Sequence, residues 1–588
     1  MDKEIFNGEK ARLNSAIYYH TKQGNEDMVQ ALSTEFCMLY INNNIIPRKS
    51  FKYYDLWASL VEAIASYDEE AVTEEIGVRD ILTKSEIRYI KKYMNNPNYR
   101  FEDKKASIMN DYNIDEETLY EWFKELDIFI GITQFEKARF NELKKSKRYL
   151  ISSAQTASPV NTVFLENMKA YASFIGAEIG IIASRYKNPT SVWKEDGDVW
   201  ATEVLPYLTA KRQQLHKNLV LVADLKIQAT SINPTARLDS LEGGKSCIVG
   251  SPCVEFRSLP VLPGVEQKFL FSTGTVTEPS FTDTVAGGKA AEQHKFGFVV
   301  VEIESDDVVH TRNVVAESDG TFNDLMFRIQ NNEVSTEDVG AMNWGDSHFA
   351  QKEEAVTDAF RGVCTDLGIK VSFLDDVWDS KNLNVHNFKN PVEQYKLLKN
   401  PQNTLKNELD QLIEELSWFE ENMDATIVKR SNHDDMLDRA MIQGDWRDNL
   451  VNAELFVKFL GITLSGEAPK GLIPYIIENS YDNVRALGVE ESYIYNGIEM
   501  SLHGHKGPNG SRGSINSFAK LSMPNIIGHS HTPGIKWGTY QVGVSCGMKH
   551  GYNQGLSSWA YASVTINDRG IRQMILLNKD TLTYTTLY

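Results

Sequence analysis

Five short polar clusters near the C-terminal end constrain this chain most, because each follows an apolar or β-branched run. They are Asp346-Ser347-His348, Asp375-Asp376-Val377-Trp378-Asp379, Asn432-His433-Asp434, His503 and Gly528-His529-Ser530-His531. A run of this kind closed by polar residues is what a buried strand leaves where it ends and its loop carries chemistry. The five endings predict a sheet whose strand tips share one site. Eight of the twelve histidines lie from His348 onward, and neutral imidazole is the commonest nitrogen ligand for metals. In D-x-H and H-x-H, alternate side chains of an extended segment point the same way, so each pair can converge on one ion. Asp and Asn oxygens mixed with His nitrogens suit Mn²⁺, Fe²⁺ or Zn²⁺ better than the all-oxygen shell preferred by Ca²⁺ or Mg²⁺.

With 588 residues the chain exceeds what one core supports, and about three domains are expected. Composition marks three textures. Residues 1–146 are poor in glycine and proline and read as helical. Residues 147–334 read as a middle α/β domain of unknown role, and residues 335–588 as a second α/β domain that ends in strands. No apolar run approaches the ~20 residues of a membrane span, and Met1-Asp2-Lys3-Glu4 opens no secretory signal. A cytoplasmic protein without a membrane partner is therefore expected. The five scattered cysteines build neither a disulfide framework nor a C-x-x-C zinc site. A net charge of −19 argues against a simple basic DNA coat, but not against a nucleic-acid enzyme whose metals and local basic patches supply positive charge.

In the first region basic residues recur at Arg88, Lys91, Lys92, Arg100, Lys104 and Lys105, and again at Lys137, Arg139, Lys144, Lys145, Lys147 and Arg148. The stretch 105–123 resembles a helix-turn-helix, with Ala106 as the small contact between helices, Asn113 in the turn and Asp115 capping the second helix. That unit serves either to lay a helix in a DNA groove or as a plain packing or oligomerisation module. Glu116, Glu117 and Glu121 on its second helix oppose phosphate. In the middle region, 148–153, 163–174 and 178–183 read as a βαβ-like unit, followed by strands near 219–223 and 296–302. Arg185-Tyr186-Lys187-Asn188 reads as a solvated loop in preference to a phosphate or partner contact, and no catalytic constellation is found in this region. Between 390 and 422 one or two helices are expected. The loop 505–514, with Lys506 and Arg512 ahead of a helix to Leu521, is read as a substrate contact.

The series Gly345-Asp346-Ser347-His348, Asp376-x-x-Asp379, Asn432-His433-Asp434, His503 and Gly528-His529-Ser530-His531 resembles the calcineurin-like metallophosphoesterase superfamily, in the family's order. The resemblance implies a four-layer αββα sandwich for residues 335–588. It implies that Asp346, His348 and His531 hold a first metal, that Asp376 bridges, and that Asn432, His503 and His529 hold a second. It also implies that His433 stabilises or protonates the leaving oxygen, and that two divalent ions, Mn²⁺ foremost (Mg²⁺, Fe²⁺ or Zn²⁺ otherwise), activate water against phosphorus. Two positions depart from the family: Asp375 and Ser431 stand where glycine is usual. Asp375 could compete with Asp376 for the bridge, and His505 could replace His503. Taken singly, His386 and His550 read as structural. The complete G-H-x-H resembles the DNA-repair exonuclease branch, and the layout of the whole chain resembles bacteriophage early nucleases that degrade host DNA. A metal-dependent DNase, acting on DNA as a homo-oligomer in the host cytoplasm, is thus expected. The alternatives are a phosphodiesterase or phosphatase for small nucleotides, and a DNA-binding interaction protein with a vestigial metal site.

Overall fold

The computed structural model describes residues 3–23, 25–43, 45–47, 51–65, 82–94, 96, 99, 101–126, 130–131, 142–184, 199–383, 391–400, 404–448, 450–551 and 553–587. Arg100, Lys137, Arg139, the stretch 185–191 and His386 lie outside them. The chain is a mixed α/β protein with two compact units. One comprises residues 1–140, 156–159 and 195–206, and the other comprises 141–155, 160–194 and 207–588. Among the described residues no helix is long and apolar enough to cross a membrane. All five cysteines are buried and unpaired.

The first unit is helical. The helices Phe101–Tyr112 and Glu116–Glu125 are joined through Asn113, whose φ is 53°, and Asp115 Oδ1 accepts from Thr118 N at 2.8 Å. Turn and cap are those the residue types predict. The inter-helix contact differs from expectation. Ala106 is exposed, and Ile108, Tyr112, Leu119 and Trp122 form the shared core with Ile90 and Met94. Lys104 differs as well. It is fully buried, with Nζ donating to the carbonyls of Met94 and Asn96, so it adds nothing to a basic surface. Lys105 is paired with Glu116 at 2.7 Å.

Among the described residues the second unit holds sheets of ten, six, five and three strands, and the ten- and six-stranded sheets share one core. Six strands run in the order Val484–Ala486, Ala425–Val428, Ile369–Asp375, Gly340–Asp346, Ala562–Ile566 and Arg572–Leu576; the first four are parallel. Successive side chains point to opposite faces, and the packing follows that rule. Ala341, Phe373 and Ile427 enter the core between the sheets, whereas Met342, Leu374 and Val428 face the helices. The helix Leu405–Asn422 supplies Leu405, Leu409, Leu412, Leu416 and Phe419 to that outer core. Each such side chain stabilises by roughly 1.5–3 kcal/mol on full burial.

The second sheet has ten strands and runs from Ile494–Tyr495 to Arg212–His216. Within it, Gly534–Lys536 pairs antiparallel with Glu255–Leu259, placing Ile535 opposite Phe256. Strands from both sides of residue 334 thus share one sheet. Its outer face, with Val220, Val222, Cys247 and Leu270, is packed by Leu225, Ile227, Leu238 and Leu241 of an irregular stretch. The βαβ unit is present: Arg148–Gln155 and Glu178–Ser184 pair in parallel around the helix Thr162–Ile175. The helix expected to reach Leu521 is a single turn, Ile515–Phe518.

Candidate metal centre

Parallel strands present their C-terminal ends at one edge, where open α/β sheets bind ligands. Asp346 is the last residue of its strand and is aligned with Asp375, the last of the next. Asn432 and His433 follow the strand Ala425–Val428, His503 follows Ile498–Glu499, and His529 and His531 follow Asn525–Ile527. Four of the expected ligands turn the chain sharply. His348, Asp376, His529 and His531 have φ of 34°, 49°, 69° and 59°. Left-handed backbone at bulky residues is costly and gathers at functional sites.

The side chains form two connected groups. In the first, His531 Nε2 lies 2.9 Å from Asp346 Oδ2 and 3.1 Å from His348 Nε2, and His348 Nε2 lies 3.5 Å from Asp376 Oδ2. In the second, His503 Nε2 lies 3.2 Å from Asn432 Oδ1 and 3.7 Å from Asp376 Oδ2. The His529 ring stands 5.3 Å from that of His503, and its backbone N–H donates to Asp346 Oδ1 at 3.1 Å. Asp376 therefore lies between the groups. His503, not His505, faces Asn432 and Asp376.

Asp375 has a different place from the bridging one. It accepts from Asn343 at 2.9 Å, pairs with Lys429 at 3.0 Å, and holds His503 Nδ1 at 3.0 Å, which aims Nε2 at the centre. Asp379 does the same for His348, with Oδ1 3.2 Å from Nδ1. Its own carbonyl accepts from His433 Nδ1 at 2.8 Å, so one residue orients both imidazoles. Such outer partners fix the ring orientation and tautomer of ligating histidines. His433 Nε2 then faces Asp376 Oδ2 at 3.8 Å.

The donor set fits divalent cations. Asp376 Oδ1 is buried without a hydrogen-bond partner, and a buried oxygen of this kind calls for one. Groups of metal-holding geometry are Asp346–His348–Asp376–His531, Asp346–Asp375–His503 and His348–His531–His550. Four buried carboxylates, Asp346, Asp375, Asp376 and Asp379, gather here, and Lys429 pairs with Asp375. Burial pulls His348 down, but Asp376, Asp379 and Asp346 outweigh it and hold its pKa at about 9. His503 is likewise lifted to about 9 against burial by Asp375, Asp376 and Asp346. Burial raises Asp346 and Asp376, but neighbouring imidazoliums hold both below the ordinary carboxylate range. Protons thus fill the place that a cation would take. Burial and then the charge of His503 lower His529 to about 4 and His505 to about 3.

Lys506 and Arg512 are cross-bridged in the loop after His503. Lys506 is paired with Asp435 at 2.8 Å, and Arg512 is exposed. Sequence reasoning missed Lys429, Asn343 and Trp559, whose ring centroid lies 4.1 Å from that of His531. A lysine directly after the apolar run Ile427-Val428 was a usable signal, since a strand-tip cation that becomes buried needs a partner.

These features define a protein with buried His/Asp groups able to hold metal. No protein-family model matches the chain, and no solved structure matches it. Protein A1 of Escherichia phage T5 is 28% identical to it over 461 residues, covering 74% of this chain and 82% of the phage protein. The chain is therefore distantly similar to a bacteriophage protein.

Proposed function

We propose that this protein is a metal-dependent deoxyribonuclease that hydrolyses DNA phosphodiester bonds at the centre described above. The observation that carries the reading is the convergence of Asp346, His348, Asp376, Asn432, His503 and His531 from separate strand tips on one buried cluster, in which Asp376 Oδ1 has no hydrogen-bond partner. The ordered D-x-H, D-x-x-D, N-H-D, H and G-H-x-H clusters support phosphoester chemistry. Similarity to a phage protein supports a phage origin and action in the host cytoplasm.

Asp346, His348 and His531 would hold one ion, Asn432, His503 and His529 a second, and Asp376 would bridge them. Divalent ions in such a site polarise phosphoryl oxygens and supply hydroxide near neutral pH. The chain supplies the rest. Asp375 and Asp379 keep Nε2 of His503 and His348 turned inward. His433 spends Nδ1–H on the Asp379 carbonyl, so in its imidazolium form it presents the Nε2 proton to the departing oxygen.

The test is incubation of the purified full chain with plasmid and linear DNA, in Mn²⁺ or in EDTA. Cleavage that needs Mn²⁺ and disappears in Asp346→Ala and His529→Ala is expected. His433→Ala is expected to keep metal binding and lose about 10²–10⁴-fold in turnover. Hydrolysis of a chromogenic phosphodiester with DNA left intact would make the protein a small-nucleotide phosphodiesterase.

A further inference from the structure

A groove of about 470 Å³ is lined among others by Asn233, Arg237, Arg257, Asn516, Thr532 and Lys536. Its volume is that of a small-ligand site, roughly 300–1,000 Å³. Three stretches distant in sequence build it: the irregular chain around Arg237 with the strand Glu255–Leu259, the single-turn helix Ile515–Phe518, and Thr532–Lys536. Thr532 directly follows the expected ligand His531. One wall thus begins a single peptide step, about 3.8 Å between Cα atoms, from that residue.

The groove's charges are unevenly matched. Arg257 donates to the Thr235 carbonyl at 3.1 Å and to Asp239 at 2.5 Å. Lys536 stands 3.8 Å from Glu255, which also accepts from Thr235 N and Oγ1. Arg237 is exposed, has no anionic partner among the described residues, and sits in left-handed backbone with φ 66°. An exposed cation without an anionic partner offers a local attraction to phosphate, whatever the sign of the net charge. Asn233 adds a buried Oδ1 without a hydrogen-bond partner, and Asn516 an exposed amide. A phosphate-binding cation flanked by amides that can donate and accept matches a nucleotide, whose phosphate is positioned by charge and whose base edge is met by hydrogen bonds.

We propose that this groove holds the nucleotide adjoining the scissile phosphate of a DNA strand, with Arg237 on its phosphate and Asn233 and Asn516 toward its base. The proposal rests on the nuclease reading and assigns a substrate-holding role to the 233–258 stretch, where the sequence shows no catalytic pattern.

Fluorescence anisotropy of a labelled single-stranded 12-mer on the full chain in EDTA tests it without metal or turnover. Arg237→Gly suits the left-handed backbone, so the fold is kept while the charge is lost. It is expected to weaken binding about tenfold and to flatten the slope of log affinity against log salt by about 0.7. Arg237→Lys is expected to restore most of both, and Lys458→Ala, an exposed lysine on the helix Ala453–Ser465, to change neither. Unchanged affinity and slope in Arg237→Gly would overturn the proposal. Competition by a free mononucleotide as strong as that of the 12-mer would also overturn it, because the occupant would then be a free nucleotide. If the wild-type chain with Mn²⁺ hydrolyses no phosphodiester, the nuclease reading falls, and the EDTA titration still decides whether the groove binds a strand.

Discussion

Replacing Gly528 with alanine puts the assembly of the centre to a direct test. A Cβ at this position would lie 2.2 Å from Asp346 Oδ1, 3.0 Å from Asp375 Cγ and 3.1 Å from Asp375 Cβ. Unstrained non-bonded contacts sit at about 3.5–4.0 Å, so the Asp346 carboxylate has to recede by about 1 Å. Neither carboxylate is free to move. Asp346 Oδ1 is held by His529 N, and the Asp346 backbone is tied to Gly543 and Ser545. Asp375 is fixed by Asn343, Lys429 and His503. Forcing an extra methyl into such packing costs about 1–3 kcal/mol. Because the displaced atom belongs to a proposed ligand, Mn²⁺ affinity should fall at least tenfold, equivalent to about 1.4 kcal/mol. Calorimetric titration of Mn²⁺ into chelator-stripped protein, with thermal denaturation in EDTA alongside, measures both effects. Wild-type Mn²⁺ affinity in a destabilised Gly528→Ala protein would remove Asp346 from the ligand set. Wild-type values for both would show that Gly528 does not lie against Asp346.

Three further outcomes follow from the same contacts. Asp379→Asn should lower metal affinity about 10–100-fold through the loss of the carboxylate behind His348, and equal titrations of variant and wild type would refute that role. In the metal-free protein His348 and His503 have pKa values of about 9, above the ordinary imidazole value, so both are protonated at pH 7 and an ion must displace their protons. The logarithm of Mn²⁺ affinity should therefore climb between pH 7 and 9 with a slope towards 2, and a flat profile in that window contradicts the ligand assignment. Glu408 is raised by burial from its ordinary 4.5 to about 7, with Oε2 unpartnered. A carboxyl raised in the folded state contributes stability that is full below about pH 4.5 and lost as pH rises through about 7. The loss approaches an amount on the order of 3 kcal/mol above pH 8. Glu408→Gln should escape that decline, so variant and wild-type melting curves that stay parallel from pH 5 to 8.5 would show Glu408 to be ordinary.

The residues that gather at the candidate centre were legible because each lies at the end of an apolar run, and a strand tip is a local property of the sequence. Helix and turn assignments around Asn113 and Asp115 were legible for the same reason: a left-handed turn and an N-cap depend on one residue's chemistry. What could not be read depends on partners far along the chain. The place of Asp375 behind His503 required knowing that Lys429 and Asn343 come to its other oxygen. Lys104 looked like surface charge until the carbonyls of Met94 and Asn96 closed over it. The change in texture near residue 334 marks a shift in composition, and pairing between Gly534–Lys536 and Glu255–Leu259 crosses it.

That crossing limits how the protein can be divided. A fragment beginning at residue 335 would expose Gly534–Lys536 as a raw edge, with its hydrogen-bonding groups open to any passing strand. It would also lose Phe256 and Phe271 from beneath the shared core. The half that carries the candidate metal centre is therefore not a cassette that could be cut out or grafted elsewhere, and insertions or exchanges between relatives should be tolerated outside this seam rather than across it.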